Sequence, residues 1–246
     1  HEGKQYLAAM ACAANYAWVN RQVIQSLAGK AISDCLGKTV TPELIYDVCH
    51  NTAKLERHSV GGAVRELLVH RKGATRAFGP GREELPEVYR ETGQPVIIGG
   101  SMQTGSYLLA GTAGGRETFF STAHGSGRSM SRHEAKRRFS GTRLEHDMEE
   151  RGICVRTACY SGLAEEAGAA YKDIDLVVGA TELAGISRRV ARLVPIGNVK
   201  GWAAIASAGT SRSPTPPSTP GAGPSRSCSS PPQTPPTARS PRRSSG

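Results

Sequence analysis

Residues 121–132 read STAHGSGRSMSR, and no other stretch of the 246-residue chain says more about its fold and chemistry. His124 is followed by two glycines, which leave its ring little steric cover and can turn backbone N–H groups toward a phosphate. Arg128 and Arg132 are four residues apart, so on one helix they would present two guanidinium groups on the same face. The pattern indicates an imidazole beside an anion-binding loop. A histidine in an ordinary glycine-rich turn, followed by solvated arginines, fits the spacing equally well.

A second group of polar residues, YDVCHN, spans residues 46–51 at the end of a predicted apolar strand. Polar side chains at a strand end are a common place for ligands. His50 can bind a divalent metal through its neutral imidazole, and Asn51 can bond a nucleobase or a phosphate. A lone histidine is more often a structural residue, so this alternative stays open.

Two further segments are suggestive but weak. Gly99-Gly-Ser-Met102 follows a predicted strand, where glycines allow the backbone to approach a ligand closely. Residues 70–76 (HRKGATR) place basic side chains around a turn, which suits a phosphate and suits an exposed surface equally.

Hydrophobic periodicity predicts a long alanine-rich helix over residues 4–28 and further helices over 129–139, 141–151 and 186–193. Short apolar runs predict buried strands at 43–48, 66–70, 95–98 and 106–110, and a further strand at 153–157. The run 174–178 fits a helix or a strand. Because strands and helices are interspersed without regular βαβ spacing, we predict the α+β class rather than a doubly wound sheet.

Residues 202–246 differ from the rest in composition. They hold ten of the fifteen prolines, many Ser and Thr, five Arg and no acidic residue. Such a segment buries too little apolar surface to offset its ordering entropy, so we predict a disordered tail after a folded domain of residues 1–201. The net charge of +10 is shared between the two parts. A mildly basic body fits a phosphate-rich partner, although many solvated faces have the same balance.

The six cysteines lack the paired spacing of a zinc knuckle and the pattern of a secreted disulfide scaffold. We therefore expect a reducing compartment, the cytoplasm. No apolar stretch of about 18 residues is present, so we predict no membrane span. The sequence begins at His1 and runs directly into a helical pattern, from which we expect further sequence upstream.

The order of the segments is more specific than any one of them. The runs are YDVCHN (46–51), HRKGATRAF (70–78), GQPVIIGGSM (93–102), STAHGSGRSMSR (121–132), AYKDIDLVV (170–178) and NVKG (198–201). In this order they resemble the RtcB family of RNA-splicing ligases. The resemblance covers roughly residues 1–201, and the HGxGRxxSR element and the closing VKG are its most specific parts.

The resemblance implies RtcB-type mixed β-sheets flanked by helices, and an enzyme that joins RNA 3′-phosphate or 2′,3′-cyclic phosphate ends to 5′-hydroxyl ends. It also implies GTP as co-substrate, Mn²⁺ as cofactor and an archease-like activator as a partner. His124 matches the nucleophile that becomes GMP-histidine, His50 matches a metal ligand, and Arg128 and Arg132 suit RNA phosphates. The positions that match guanylate-binding residues are His50, Asn51, Gly99, Gly100, Ser101, Met102, Ser106, His124, Gly125, Ser126, Gly127, Tyr171 and Lys200.

Three positions depart from the family pattern. Gln103 and Phe120 stand where the family usually has glycine and are expected to crowd the nucleotide loop, whereas Ser126 replaces a common alanine with little change in volume. The family's other metal ligands, an Asp, a Cys and further His residues, belong to an N-terminal half that the resemblance places upstream of His1.

Two other interpretations stay open. One is a truncated homologue that binds nucleotide or RNA without catalysis. The other is a basic RNA-binding chain in which the arginine-containing tail does most of the binding.

Overall fold

A long N-terminal helix, α1 (Glu2–Leu36), opens the computed structural model of the protein, which describes residues 1–200. The helix contains eight alanines, and alanine is the strongest helix former. It ends at Gly37, whose φ of 62° is left-handed and whose N–H donates to Ser33 O, a common arrangement for a glycine at a helix C-terminus. The predicted N-terminal helix is confirmed, and it continues through the whole of α1.

The chain after α1 alternates short strands and short helices. The elements are β1 (Asn51–Val60), β2 (Ala63–Lys72), β3 (Ala74–Arg76), β4 (Pro95–Gly99), β5 (Ser106–Gly111), β6 (Ser121–Ala123), α2 (Arg132–Arg138), α3 (Gly141–Glu150), β7 (Cys154–Thr157), α4 (Tyr160–Glu165), α5 (Ile174–Leu183), β8 (Ser187–Leu193) and β9 (Gly197–Lys200). The predicted α+β class is confirmed. Within residues 1–200, no helix has both the length and the apolar character needed to cross a membrane. The predicted disordered tail, residues 202–246, lies outside the described residues.

The main hydrophobic core lies where α5 packs against a three-stranded antiparallel sheet with the order β4-β5-β8. Val96 and Ile98 on β4, Leu109 on β5, and Ile174 and Val178 on α5 are buried in one cluster. The other strands form the antiparallel pairs β1-β2 and β3-β6 and the parallel pair β7-β9. A second core joins α3, α4 and β7.

Most of the predicted elements are confirmed. The predicted strands 66–70, 95–98, 106–110 and 153–157 lie in β2, β4, β5 and β7, and the predicted helices 129–139 and 141–151 contain α2 and α3. The undecided run 174–178 is the start of α5, where the Asp173 carboxylate accepts a hydrogen bond from the N–H of Asp175 as the N-cap. Strand β2 is mostly exposed, so the prediction that residues 66–70 form a buried strand is wrong in this respect.

The predicted basic helix over 186–193 is wrong, because Ser187–Leu193 forms strand β8. Its Arg, Ala and Leu residues favour a helix locally, but β5 presents an edge with which β8 pairs along its whole length. Hydrogen bonding to β5 therefore overrides local propensity. The exposed arginines of β8 suit its position at the edge of the sheet.

The predicted strand over 43–48 is also wrong, because this segment forms no sheet pairing. Side chains hold it instead: Arg21 on α1 donates to the Asp47 carboxylate at 2.7 Å, and the Tyr89 hydroxyl donates to Ile45 O at 2.6 Å. Regular pairing begins only with the β1-β2 hairpin, which turns at two glycines with positive φ. Strand β1 consists mainly of polar residues, so a search for apolar runs missed it.

A buried ion pair joins the two strands of this hairpin to the chain at the start of β6. Arg71 donates to both Glu56 oxygens, at 2.7 and 2.8 Å, and the two side chains are 2% and 4% exposed. Arg71 also donates to Ser121 Oγ and Phe119 O, at 2.9 Å each, and His58 Nε2 lies 3.0 Å from a Glu56 oxygen. Burial opposes the charge on Glu56, but Arg71, with smaller contributions from His58 and Arg76, outweighs burial, so the pKa of this carboxyl is lowered.

Replacing Arg71 with Met leaves the Glu56 carboxylate buried without its counter-charge. We expect the free energy of unfolding to fall by about 3–5 kcal/mol, measured by urea denaturation. Arg65→Met, at an exposed position of the same strand, is the matched control and is expected to change this free energy by less than about 0.5 kcal/mol. Equal losses in the two variants would show that burial of the pair is irrelevant.

Candidate active site

The imidazole ring of His124 stacks on that of His50. The ring centroids are 4.5 Å apart and the planes differ by 13°. His124 directly follows β6 and His50 directly precedes β1, so the stack joins two parts of the chain that are distant in sequence. His50 therefore lies in a turn before a strand, and its predicted place after an apolar strand is wrong. Gly73 borders the stack: its N–H donates to His50 O at 2.8 Å, and a Cβ there would lie 3.8 Å from His124 Nε2.

The surroundings of His124 favour the neutral form of its ring. Burial lowers the pKa of His124 below the ordinary histidine value, and the nearby charge of protonated His50 lowers it further. A neutral imidazole carries a free nitrogen lone pair at neutral pH, which both a nucleophile and a metal ligand require. The lowered pKa of His124 therefore leaves a ring nitrogen unprotonated at neutral pH.

Backbone hydrogen bonds fix the loop that follows His124. The N–H of Gly99 donates to His124 O at 3.1 Å, and the N–H of Ser126 donates to Gly99 O at 2.8 Å. A Cβ on Gly125 would lie 3.1 Å from Gly99 O, so this close approach favours glycine. Gly127 has a φ of 73°, in the left-handed region. The Ser126 hydroxyl is buried and has no hydrogen-bond partner among the described residues, so it is a donor for a ligand or a water molecule.

Strand β4 leads into a tight loop. A Cβ on Gly100 would lie 2.1 Å from Gly105 O, so a side chain does not fit there. The Ser101 hydroxyl accepts a hydrogen bond from the N–H of Gln103 at 3.2 Å. Gln103, one of the departures from the family pattern, accepts a hydrogen bond from the N–H of Gly168 at 2.7 Å through its side-chain oxygen. Its side chain thus ties this loop to the segment after α4.

The remaining residues of this segment contribute to packing and register. The side chain of Met102 is buried in the core formed by α3, α4 and β7, which anchors the loop. Ser106 begins β5 directly opposite Gly99. Phe120, the other departure from glycine, has a left-handed φ of 51°, and its ring is buried against Phe78. A left-handed φ explains why glycine suits this position.

The Glu166 carboxylate joins three of the predicted residues. The Tyr171 hydroxyl donates to it at 2.5 Å, the Arg128 guanidinium lies 3.6 Å away, and the Lys200 ammonium lies 3.9 Å away. Arg128 also donates to the Tyr171 hydroxyl at 3.0 Å and lies over the Tyr171 ring. Burial and then the Glu166 carboxylate raise the pKa of Tyr171, so its hydroxyl stays protonated at neutral pH.

Arg128 and Arg132 do not share a helix face, so this prediction is wrong. Helix α2 begins only at Arg132, because Ser131 caps it, and the guanidinium of Arg128 donates to Glu165 O at 2.7 Å and Met130 O at 3.1 Å. Arg132 is 68% exposed, with its Nε 3.7 Å from the Glu165 carboxylate. Lys136, one turn further along α2, binds the same carboxylate at 2.5 Å.

Short contacts link the predicted residues into one continuous group. The Asn51 side-chain oxygen accepts a hydrogen bond from the N–H of Gly73, beside the histidine stack. At the other end of the group, the N–H of Lys172 donates to Gly127 O at 2.9 Å and so joins the loop after His124 to Tyr171.

A family model described as tRNA-splicing ligase RtcB matches residues 1–201. The chain belongs to the RtcB family. It is 52% identical over 204 residues to the tRNA-splicing ligase RtcB of Archaeoglobus fulgidus, and 49% identical over 200 residues to the RNA-splicing ligase RtcB of Mycobacterium tuberculosis. Each match covers 81% of this chain but only 42% and 46% of the two relatives. The chain thus spans less than half the length of these RtcB proteins.

Gly73, which borders the histidine stack, lies within the predicted basic turn 70–76. Sequence reasoning missed two residues of this candidate site, Glu165 and Glu166, which lie against the positive groups. A signal was present in the sequence, because two adjacent acidic residues shortly precede Tyr171. Their significance depends on Lys200 and Arg128 reaching the same place, which only the fold shows.

The described residues do not form a complete metal site. Among residues 1–200, no group of three or more His, Cys, Asp or Glu side chains is placed to hold a metal ion. Mn²⁺ favours an octahedral shell rich in oxygen ligands, and His50 is a single nitrogen ligand. This donor set therefore does not fit a complete manganese shell.

Replacing His50 with Ala in the metal-free protein removes the ring that stacks on His124 and the charge that this ring carries when it is protonated. Both changes favour the protonated imidazole, so we expect the pKa of His124 to rise toward the ordinary histidine value. An NMR titration of the His124 ring protons measures this shift. His146→Ala, at an exposed position on α3, should leave the titration unchanged. An unaltered His124 midpoint in the His50→Ala protein would contradict the stacked arrangement.

Proposed function

We propose that this chain provides the nucleotide-transfer centre of an RNA ligase that joins 3′-phosphate or 2′,3′-cyclic phosphate ends to 5′-hydroxyl ends, with GTP as co-substrate. The observation that carries the proposal is the position of His124. Its ring stacks on that of His50 and favours the neutral form, and it lies beside a glycine-containing loop in a chain that matches the RtcB model over residues 1–201.

In this mechanism an imidazole nitrogen of His124 attacks the α-phosphorus of GTP. An N–P bond forms, the bond to the bridging oxygen breaks, and pyrophosphate leaves. An oxygen of the RNA 3′-phosphate then attacks the GMP phosphorus and releases the imidazole. Finally the 5′-hydroxyl oxygen attacks the 3′-phosphorus, loses its proton to solvent and displaces GMP. A cyclic phosphate must first be opened by water. Covalent catalysis thus divides one difficult displacement into easier steps.

The positive and hydrogen-bonding groups of the candidate site support a division of binding roles. The Tyr171 hydroxyl and the Lys200 ammonium lie together at Glu166, where they would hold the guanylate. Arg132 and Lys136 lie one turn apart on α2, where they would contact RNA phosphates. The buried Ser126 hydroxyl would donate to the nucleotide.

The proposed ligase would use Mn²⁺ as its cofactor and an archease-like activator as a partner. His50 would supply one metal ligand, and the other ligands would come from outside the described residues. When bound, the ion would polarise phosphoryl oxygens and offset developing charge.

A second candidate is a homologue that lacks catalysis. Among residues 1–200, no group of three or more His, Cys, Asp or Glu side chains is placed to hold a metal ion. A homologue of this kind would bind nucleotide or RNA without forming GMP-histidine.

Incubation with Mn²⁺ and GTP labelled at the α-phosphorus tests the nucleophile. We expect covalent label that survives SDS but is lost in acid, as a phosphoramidate should be, and no label on His124→Ala. The His146→Ala control should be labelled like the wild type. Labelling of His124→Ala at the wild-type level would exclude His124 as the nucleophile. Wild-type protein that binds GTP without becoming labelled would favour the second candidate.

Arg132→Ala should weaken RNA binding and reduce the slope of log affinity against log salt by about one, because one phosphate contact is lost. Fluorescence anisotropy with a 3′-phosphorylated RNA at several salt concentrations measures both quantities. Arg138→Ala is the matched control on the same helix, since Arg138 is paired with Glu134 at 2.7 Å. Identical salt slopes for Arg132→Ala and the wild type would contradict a phosphate contact at Arg132.

A further inference from the structure

Glu166 follows helix α4 and distributes its two carboxylate oxygens between different partners. Oε1 faces Arg128 at 3.6 Å, whereas Oε2 accepts the Tyr171 hydroxyl and lies 3.9 Å from Lys200. The Glu166 side chain is 25% exposed, and those of Arg128 and Lys200 are 22% and 35% exposed. Charges in such a partly buried setting interact more strongly than charges on an open surface.

Arg128 is the fixed member of this cluster. Its guanidinium donates to Met130 O, to Glu165 O and to the Tyr171 hydroxyl, and its backbone pairs with that of Tyr171. Because these contacts tie Arg128 mainly to backbone, it provides a stable charge against which Glu166 is held. The orientation of Glu166 then determines where Oε2 lies.

Hydrogen bonds fix the backbone of Lys200, whereas its long side chain has several rotatable bonds. Its carbonyl accepts a hydrogen bond from the N–H of Ala158 at 3.2 Å, and β9 pairs in parallel with β7. A lysine side chain carries a point charge on a four-carbon stem, so its ammonium position depends on the partner that holds it. Placing that ammonium in advance reduces the entropy lost when a ligand binds.

We propose that Glu166 is a positioning residue, which orients the Tyr171 hydroxyl and the Lys200 ammonium for the nucleotide. This inference rests on the proposed function, in which these two residues hold the guanylate. Glu166 does not itself bind the nucleotide. Two cations, Arg128 and Lys200, accompany its single carboxylate, so the cluster keeps a net positive charge toward an anionic ligand.

Glu166→Gln keeps the size of the side chain and removes its charge. We expect the dissociation constant for a ribose-labelled fluorescent GTP analogue to rise about tenfold, because a charge-assisted hydrogen bond and an ion pair are lost. Glu150→Gln is the matched control: its carboxylate is 66% exposed on α3, and GTP affinity should stay within about twofold of wild type.

A double-mutant cycle separates positioning from a general structural effect. If Glu166 acts through Lys200, Glu166→Gln should weaken GTP binding less in a Lys200→Ala background than in the wild type. Equal losses in the two backgrounds would overturn the positioning role, because the effect would then be independent of Lys200.

The Tyr171 hydroxyl provides a readout that needs no nucleotide. A carboxylate beside a phenol disfavours its ionised form, so Glu166→Gln should lower the titration midpoint of Tyr171, followed by ¹³C NMR of labelled tyrosine and assigned with Tyr171→Phe. An unchanged midpoint would overturn the inference even if GTP binds. If the wild type binds no GTP, the proposed function fails, while a lowered Tyr171 midpoint would still support the contact with Glu166.

Discussion

Two backbone hydrogen bonds at Gly99 connect the main hydrophobic core to the candidate active site. They join the end of β4 to the loop after His124, at 3.1 and 2.8 Å. Strand β4 is itself held by burial of Val96 and Ile98 against α5. Hydrophobic burial therefore determines the path of β4, and the path of β4 determines the position of the loop. The absence of a side chain at Gly125 favours this close approach, because a Cβ there would lie 3.1 Å from Gly99 O.

The charged residues near the loop form two groups, each centred on one glutamate. Glu165 and Glu166, at the end of α4, pair with different groups: Glu165 with Lys136 and Arg132 on α2, and Glu166 with Tyr171 and Lys200. The two adjacent carboxylates thus contact two different sets of residues that are candidates for ligand binding. Residues 1–200 do not assemble a comparable group of metal ligands, in a chain that spans less than half the length of its RtcB relatives.

The parts of the molecule that depend on local chemistry could be predicted from the sequence. Helix α1 follows from its composition, and the loop after His124 follows from its glycines. Strand β8 could not be predicted, because its residues favour a helix until β5 offers an edge. Irregular residues 43–48 looked like a strand because their apolar character was visible and the Arg21 and Tyr89 contacts that hold them were not. Glu166 was missed because its partners converge only in the folded chain.

The stack of His50 on His124 requires distant parts of the chain to come together. The two rings belong to segments separated by the β1-β2 hairpin, the strand β3 and the whole of β4 and β5. Bringing them together closes a long loop of chain, whose entropy must be offset by packing elsewhere. A synthetic peptide copying residues 121–132 would therefore carry the motif without the stacked imidazole. The environment of His124 exists only where distant segments of the folded chain meet.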